Sequence, residues 1–135
     1  MSDFTIIEFS GFNDLYSDVL RKYDSFNDDF NDVKNMIQKK LEWVGNNPEK
    51  VSKTDRIPMK DKLAEGVYAL KTRVFIEDAG SKIGRLIWIC DTERENIFLT
   101  DVYHKNDRIN HQPNRIIEAY NEYREEHCED ITLVN

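Results

Sequence analysis

The stretch that most constrains the fold is residues 85–108, RLIWICDTERENIFLTDVYHKNDR. It contains two apolar, β-branched runs of strand length, separated by the polar segment DTEREN. Apolar runs of this length bounded by polar turns are typical of strands in a sheet core. If the two strands pair as a hairpin, the start of the first lies beside the end of the second, and Arg85 approaches His104 and Lys105 across adjacent strands.

The chain is expected to be one domain. It has 135 residues, 39% of them hydrophobic and 11% aromatic, which is enough to bury a single core. We expect the core to span about residues 5–126, with a C-terminal tail over residues 127–135. The N-terminus has no signal-peptide pattern, and the longest apolar run, Leu86 to Cys90, is far shorter than the ~18 residues of a membrane span. The sequence therefore predicts a soluble, cytoplasmic protein with no membrane partner.

The charge is distributed unevenly. The net charge is -7, but residues 51–112 carry 11 basic and 10 acidic groups, whereas residues 1–50 carry 6 and 10 and residues 113–135 carry 2 and 6. The middle of the chain is thus near +1, and each flank is at -4. This balance argues against nucleic-acid binding by bulk attraction, so any phosphate contact depends on a local basic face in the middle segment.

The predicted element order is β-α-α-β-β-β-α, an α+β domain with helices packed on a small antiparallel sheet. TIIEF indicates a first strand, and two stretches with apolar residues at helical spacing, residues 12–23 and 26–44, predict a helical hairpin. Residues 49–66 are basic and polar and indicate a loop with a short turn of helix. VYALKTRVFIE, KIGRLIWICDT and NIFLTDVYH then predict a three-strand meander, and Pro113 begins the closing helix.

Most sequence motifs for catalysis are absent. There is no Gly-rich phosphate loop, no GxSxG, no HExxH and no CxxC, and the three histidines are 7 and 16 residues apart, so we expect neither a metal nor a cofactor. RNA can be cut without a metal when a base takes the 2′-hydroxyl proton and cations stabilise the phosphorane-like charge. The residues that could do this are Lys71, Arg73, Arg85, Tyr103, His104, Lys105 and Arg108. The alternative is that they are ordinary surface and strand-end residues.

The chain resembles the RelE/ParE toxin superfamily, including its RelE-like and HigB-like members, over about residues 5–126. The resemblance lies in the element order and in three phrases: GRLIWI, an arginine followed by a strand; DVYHKND, a strand end leading to a lysine; and QPNRIIEAYNEYREE, a Pro-led closing helix. It implies the toxin of a toxin-antitoxin system that cleaves messenger RNA on the ribosome and is inhibited by a cognate antitoxin.

The resemblance also implies roles for individual residues. Arg73 and Arg85 match the strand arginines, which are expected to bind the scissile phosphate. His104 and Lys105 match the strand-end basic pair, His104 to exchange the proton and Lys105 to stabilise charge, so Arg85, His104 and Lys105 are the expected catalytic residues. From their residue types and positions, the residues expected to bind RNA are Lys71, Arg73, Tyr103 and Arg108. The acidic net charge keeps a second hypothesis open, a non-catalytic module of the same fold that inhibits a topoisomerase, as ParE does, or only binds an antitoxin. The sequence does not indicate cleavage specificity, the identity of the antitoxin or the oligomeric state.

Overall fold

A computed structural model describes residues 4–60, 62–79, 83–105, 108 and 110–128 of the chain. Within them it has three α-helices and a five-stranded mixed sheet, which confirms the predicted α+β class. The strands are β1 (Thr5–Glu8), β2 (Thr54–Ile57), β3 (Val67–Phe75), β4 (Ile83–Asp91) and β5 (Asn96–His104). The helices are α1 (Phe12–Lys22), α2 (Phe26–Val44) and α3 (Pro113–His127), and short 3-10 turns lie at Pro48–Lys50 and Glu77–Ala79.

The strand order in the sheet is β1-β5-β4-β3-β2. The predicted meander is confirmed, because β3, β4 and β5 are successive antiparallel neighbours, and β1 pairs in parallel with β5. The loop predicted over residues 49–66 is wrong in its middle, where β2 pairs with β3 at the edge of the sheet. β2 has only four residues, of which only Ile57 is buried, so it lacks the alternating pattern by which a strand is recognised.

The predicted helical hairpin is present. The ring of Phe12 contacts that of Phe30, and the ring of Tyr16 contacts that of Phe26, so α1 and α2 run antiparallel where they meet. α2 ends at Gly45, whose positive φ of 54° is a backbone conformation that glycine adopts without strain.

The helical hairpin covers one face of the sheet. Leu86, Trp88 and His104 share this face, because strand residues two apart point to the same side and Gly84 is paired with His104. All three are buried, the Trp88 indole N–H donates a hydrogen bond of 2.8 Å to the Thr72 hydroxyl, and the ring of Tyr23, just beyond α1, packs on His104.

The opposite face carries α3, and β5 contains a β-bulge that changes which of its residues point to that face. Ile87 pairs with Asp101 but the next residue, Trp88, pairs with Leu99, which leaves Thr100 as the extra residue. Phe98 and Asp101 therefore point to the same face although they are three residues apart. The α3 residue Tyr123 packs against Phe98, with ring centroids 5.2 Å apart.

Two residues of the predicted C-terminal tail, residues 127–135, lie in the described part of the chain. His127 is the last residue of α3, and Cys128 is buried. Tyr120 and Tyr123 are buried core residues of α3. The rest of the predicted tail, residues 129–135, lies outside the described part of the chain.

Candidate functional site

A row of polar side chains crosses three adjacent strands on the α3 face. Arg73 of β3 pairs with Arg85 of β4, which in turn pairs with Tyr103 of β5. Directly paired residues on antiparallel strands point to the same face, and like charges in that position repel each other. Two paired arginines are therefore a costly arrangement that a bound anion would relieve.

Arg108 joins this row from the segment after β5. Its guanidinium carbon lies 4.2 Å from the centre of the Tyr103 ring, a cation-π contact. The same guanidinium donates two hydrogen bonds to the Asp101 carboxylate, at 2.9 and 2.6 Å, and Arg115 of α3 reaches that carboxylate at 3.4 Å. Asp101 is 1% exposed, so a buried carboxylate fixes the position of both arginines.

His111 lies near the same group. Burial lowers the pKa of His111, the Lys71 ammonium lowers it further, and Asp101 opposes the change. The Nδ1 atom is buried and has no hydrogen-bond partner among the described residues. An imidazole with a lowered pKa is neutral at pH 7 and can accept a proton.

The Tyr103 hydroxyl is the second polar atom at this site that lacks a partner. The side chain is 3% exposed, and its oxygen receives no hydrogen bond and donates none within the described part of the chain. Burial raises the pKa of Tyr103 above its usual range, while the positive charges of Arg108 and Arg85 oppose that rise. The hydroxyl therefore keeps its proton at neutral pH and is a buried donor without a described acceptor.

These residues form one local concentration of positive charge, which we call the basic cluster. Its members are Lys71, Arg73, Arg85, Tyr103, Arg108, His111 and Arg115, with Asp101 among them. Among the described residues, five cations of the cluster stand against one carboxylate, and Asp55 of β2 pairs with Lys71 at its border. The whole chain carries a net charge of -7, so the charge of this face is opposite in sign to the total.

The structure brings Arg85 together with all four predicted RNA-binding residues, but it does not bring His104 to them. The backbone of Arg85 lies beside the end of β5, as predicted, but the side chains of Arg85 and His104 do not meet. Arg85 is paired with Tyr103, so His104, one residue further, points to the opposite face. There it is buried against Tyr23, with ring centroids 5.0 Å apart. Lys105 is exposed in the turn after β5 and has no described contact with the cluster.

Three members of the site were not singled out from the sequence: Asp101, His111 and Arg115. Asp101 lies in an apolar strand, and only the bulge at Thr100 turns it toward α3. Arg115 is in the first turn of α3, where a cation is unfavourable beside the positive end of the helix dipole. The unfavourable position of Arg115 was the one feature of the sequence that indicated a carboxylate or another anion nearby.

The chain matches no known family model, no curated protein and no solved structure. Among the described residues, no helix is long and apolar enough to cross a membrane. The same residues contain no group of three or more His, Cys, Asp or Glu side chains that could hold a metal ion.

Proposed function

We propose that this protein is a RelE-like toxin, a metal-independent endoribonuclease of the cytoplasm that cuts messenger RNA on the ribosome and is inhibited by a cognate antitoxin. The observation that carries the proposal is the row Arg73–Arg85–Tyr103, with Arg108 stacked on its tyrosine. Further support comes from the element order, which is that of the resemblance once the short edge strand β2 is set aside. No part of the proposal depends on His104, because that side chain lies on the other face.

The cations of the cluster suit the binding of the scissile phosphate. Arg73 and Arg85 each present a planar fork of N–H donors, the geometry that matches phosphate oxygens. Their mutual repulsion disappears when two negatively charged oxygens lie between them. Arg108 is held at the Tyr103 ring by Asp101, so it can stabilise charge without first being ordered.

His111 is the group best suited to take the proton. The 2′-hydroxyl loses its proton to the imidazole, and its oxygen attacks phosphorus and forms a new P–O2′ bond. The P–O5′ bond breaks, and the 5′-oxygen leaves with a proton supplied by water. The products are a 2′,3′-cyclic phosphate and a 5′-hydroxyl, and no electrons are transferred to or from another molecule.

A reconstituted translation mixture tests the proposal. Wild-type protein is expected to cleave the message only when ribosomes are present, whereas Arg85→Ala lowers the rate by at least about a hundredfold, the usual loss when a charge-stabilising donor is removed. Lys39→Ala is a suitable control, because it removes one exposed cation from α2, outside the cluster. A message that stays intact with wild-type protein would contradict the proposal.

The second candidate is a non-catalytic module of the same fold, and the net charge of -7 favours it. In this alternative the cluster binds acidic groups of a protein, such as a topoisomerase or an antitoxin. Intact message together with inhibited supercoiling by a purified topoisomerase is the result that would select this candidate over the nuclease.

A further inference from the structure

A strip of apolar surface runs along the exposed side of α2. Trp43 is 80% exposed and Phe75, at the end of β3, is 52% exposed, whereas aromatic side chains are on average largely buried. Val33 and Met36 of α2 are only partly buried. We call these four residues the α2 patch, and none of them belongs to the basic cluster.

The α2 patch is continuous, because Met36 lines two adjoining depressions of the surface. One has a volume of about 400 Å³ and also contains Trp43 and two lysines, and the other has a volume of about 330 Å³ and also contains Val33 and Phe75. Scattered apolar residues are normal on a protein surface, but a contiguous apolar patch with a polar rim is typical of an interaction site. The α2 patch is therefore a candidate surface for another protein chain.

The charges beside the α2 patch change sign along the helix. Asp32 precedes Met36 by four residues and Lys40 follows it by four, and both charged residues are exposed. With a rise of about 1.5 Å per residue, each charge lies about 6 Å from Met36 along the helix axis, in opposite directions. The surface is therefore complementary to itself when a second copy is turned end to end, because an acid then faces a base on both sides of Met36.

We infer that the α2 patch binds the α2 patch of a second copy of this chain, with the two α2 helices antiparallel and a two-fold axis near Met36. Positions equally far before and after Met36 then face each other, so each Asp32 faces the Lys40 of the other copy. Each Trp43 meets the other end of the second patch, where Val33 and Phe75 lie. A contact in which the same surface is used by both copies is the commonest kind in homo-oligomers.

The charges favour this arrangement over a parallel pair of helices. In a parallel pair, Asp32 would lie beside Asp32 and Lys40 beside Lys40, and like charges across an interface repel each other. Surface ion pairs contribute little to affinity, so they set the direction of the helices while the two Trp43 side chains supply most of the apolar contact. The net charge of -7 on each chain opposes association at long range, so we expect a weak dimer.

Sedimentation equilibrium of the full chain tests the inference. Over about 5 to 500 µM protein, a range chosen for a small and weak interface, the average mass should rise from that of one chain toward that of two. Trp43→Ala should raise the dissociation constant at least about tenfold, because a tryptophan at the interface is a typical anchor. At the lowest concentration the circular dichroism of this variant should equal that of the wild type, because Trp43 is largely exposed in the single chain.

Tryptophan fluorescence follows the same event in the unmodified protein. The chain has two tryptophans, and Trp88 is fully buried in the core, so a change in the polarity around the indole groups reports on Trp43. The emission should move to shorter wavelength as the protein concentration rises, over the range in which the mass increases. An increase in mass without this shift would place the contact elsewhere and overturn the inference.

Charge reversal tests the antiparallel arrangement. Asp32→Lys and Lys40→Asp each place like charges together on both sides of the axis, and each should weaken self-association about tenfold. An equimolar mixture of the two variants again places an acid opposite a base, so it should associate as tightly as the wild type, within about twofold. Glu42→Lys is the matched control, because it makes the same change of charge at an exposed position of α2 outside the patch. It should leave the dissociation constant nearly unchanged.

The inference is overturned if the wild-type protein remains monomeric over the whole concentration range, which would leave the patch to a different protein. A dimer that forms equally well in Trp43→Ala would also contradict it. A mixture of Asp32→Lys and Lys40→Asp that associates no better than either variant alone would exclude the antiparallel contact. None of these measurements involves RNA, so their outcome is independent of the proposed nuclease activity.

Discussion

Asp101 is the residue on which the geometry of the basic cluster most depends. It is buried, and it accepts hydrogen bonds from Arg108 and Arg115, which come from separate segments of the chain. Without its charge, the two guanidinium groups would repel each other at the end of the sheet. A buried anion that binds two cations therefore fixes the geometry of the site before any ligand binds.

We predict that Asp101→Asn lowers the free energy of unfolding by about 2 kcal/mol. Breaking a fully buried ion pair costs more, but Arg108 and Arg115 are 22% and 29% exposed and can turn toward water. Urea denaturation measures the difference. Asp55→Asn, at an exposed position of β2, is the control and should stay within about 0.5 kcal/mol. Equal denaturation midpoints for the two variants would show that Asp101 is not a structural anchor.

The second prediction at this scale concerns the titration of His111. Its pKa lies below the usual value of about 6.5 because it is buried and because Lys71 is near. A neutral side chain at position 71 should raise the pKa of His111, so Lys71→Gln is expected to move the NMR titration midpoint of His111 to higher pH. Lys71→Arg keeps the positive charge and should leave the midpoint nearly unchanged.

Proton acceptance by His111 has a matching signature in the pH-rate profile. A base works only when it is neutral, so cleavage should fall as the pH drops through the pKa of His111, and this acid limb should shift upward in Lys71→Gln. An acid limb that does not follow the NMR midpoint of His111 would assign the proton transfer to another group.

At the scale of the elements, α2 gives a prediction from two neighbouring side chains. Leu41 is fully buried, whereas Trp43, two residues later, is 80% exposed. Truncation of a buried leucine leaves a cavity, so Leu41→Ala should cost about 3 kcal/mol of stability. Trp43→Ala removes a larger side chain but should cost less than about 0.5 kcal/mol. Thermal or urea unfolding that ranked the two variants in the opposite order would mean that α2 packs by its other side.

Elements with strong periodicity could be predicted from the sequence, and the elements that depend on tertiary contacts could not. α2 and the meander have regular apolar spacing, and the pairing of β4 with β5 followed from the turn between them. β2 has too few buried residues to give a pattern. The bulge at Thr100 is accompanied by a hydrogen bond from its hydroxyl to the Ile87 carbonyl, a contact between strands that local sequence does not indicate.

The same distinction explains which part of the site was predicted. Lys71 and Arg73 alternate along β3, so their shared face follows from the period of a strand. Arg85 of β4 lies on the same face because of the register that pairs it with Arg73, which was not predicted. His104 was placed beside Arg85 because the two backbones meet, but the exact register decides the face, and a shift of one residue reverses it. His111 comes near Lys71 only after α3 has packed, so its role required the tertiary structure.

At the scale of the whole molecule, the net charge of -7 and the basic cluster have opposite effects on RNA. The total charge repels RNA at long range, and this repulsion is screened beyond about 8–10 Å at physiological salt. The cluster acts at contact distance, where the counterions released from each neutralised phosphate set the salt dependence. At very low salt, the affinity for RNA should therefore be weaker than that of a basic protein. The affinity should nevertheless fall as the salt concentration rises.

We predict that the logarithm of the affinity for a single-stranded RNA hexamer falls with the logarithm of salt concentration with a slope of about -2. Each neutralised phosphate of a single strand contributes about -0.7. Arg73 and Arg85 together neutralise the scissile phosphate, and Lys71 and Arg108, whose charge is partly offset by Asp101, each neutralise at most one neighbouring phosphate. Arg85→Ala should bring the slope closer to zero by up to about 0.7, whereas Lys39→Ala on α2 should not change it. A slope near zero in the wild-type protein would mean that the cluster does not contact phosphates, and equal changes in the two variants would mean that the whole surface, rather than this face, binds the RNA.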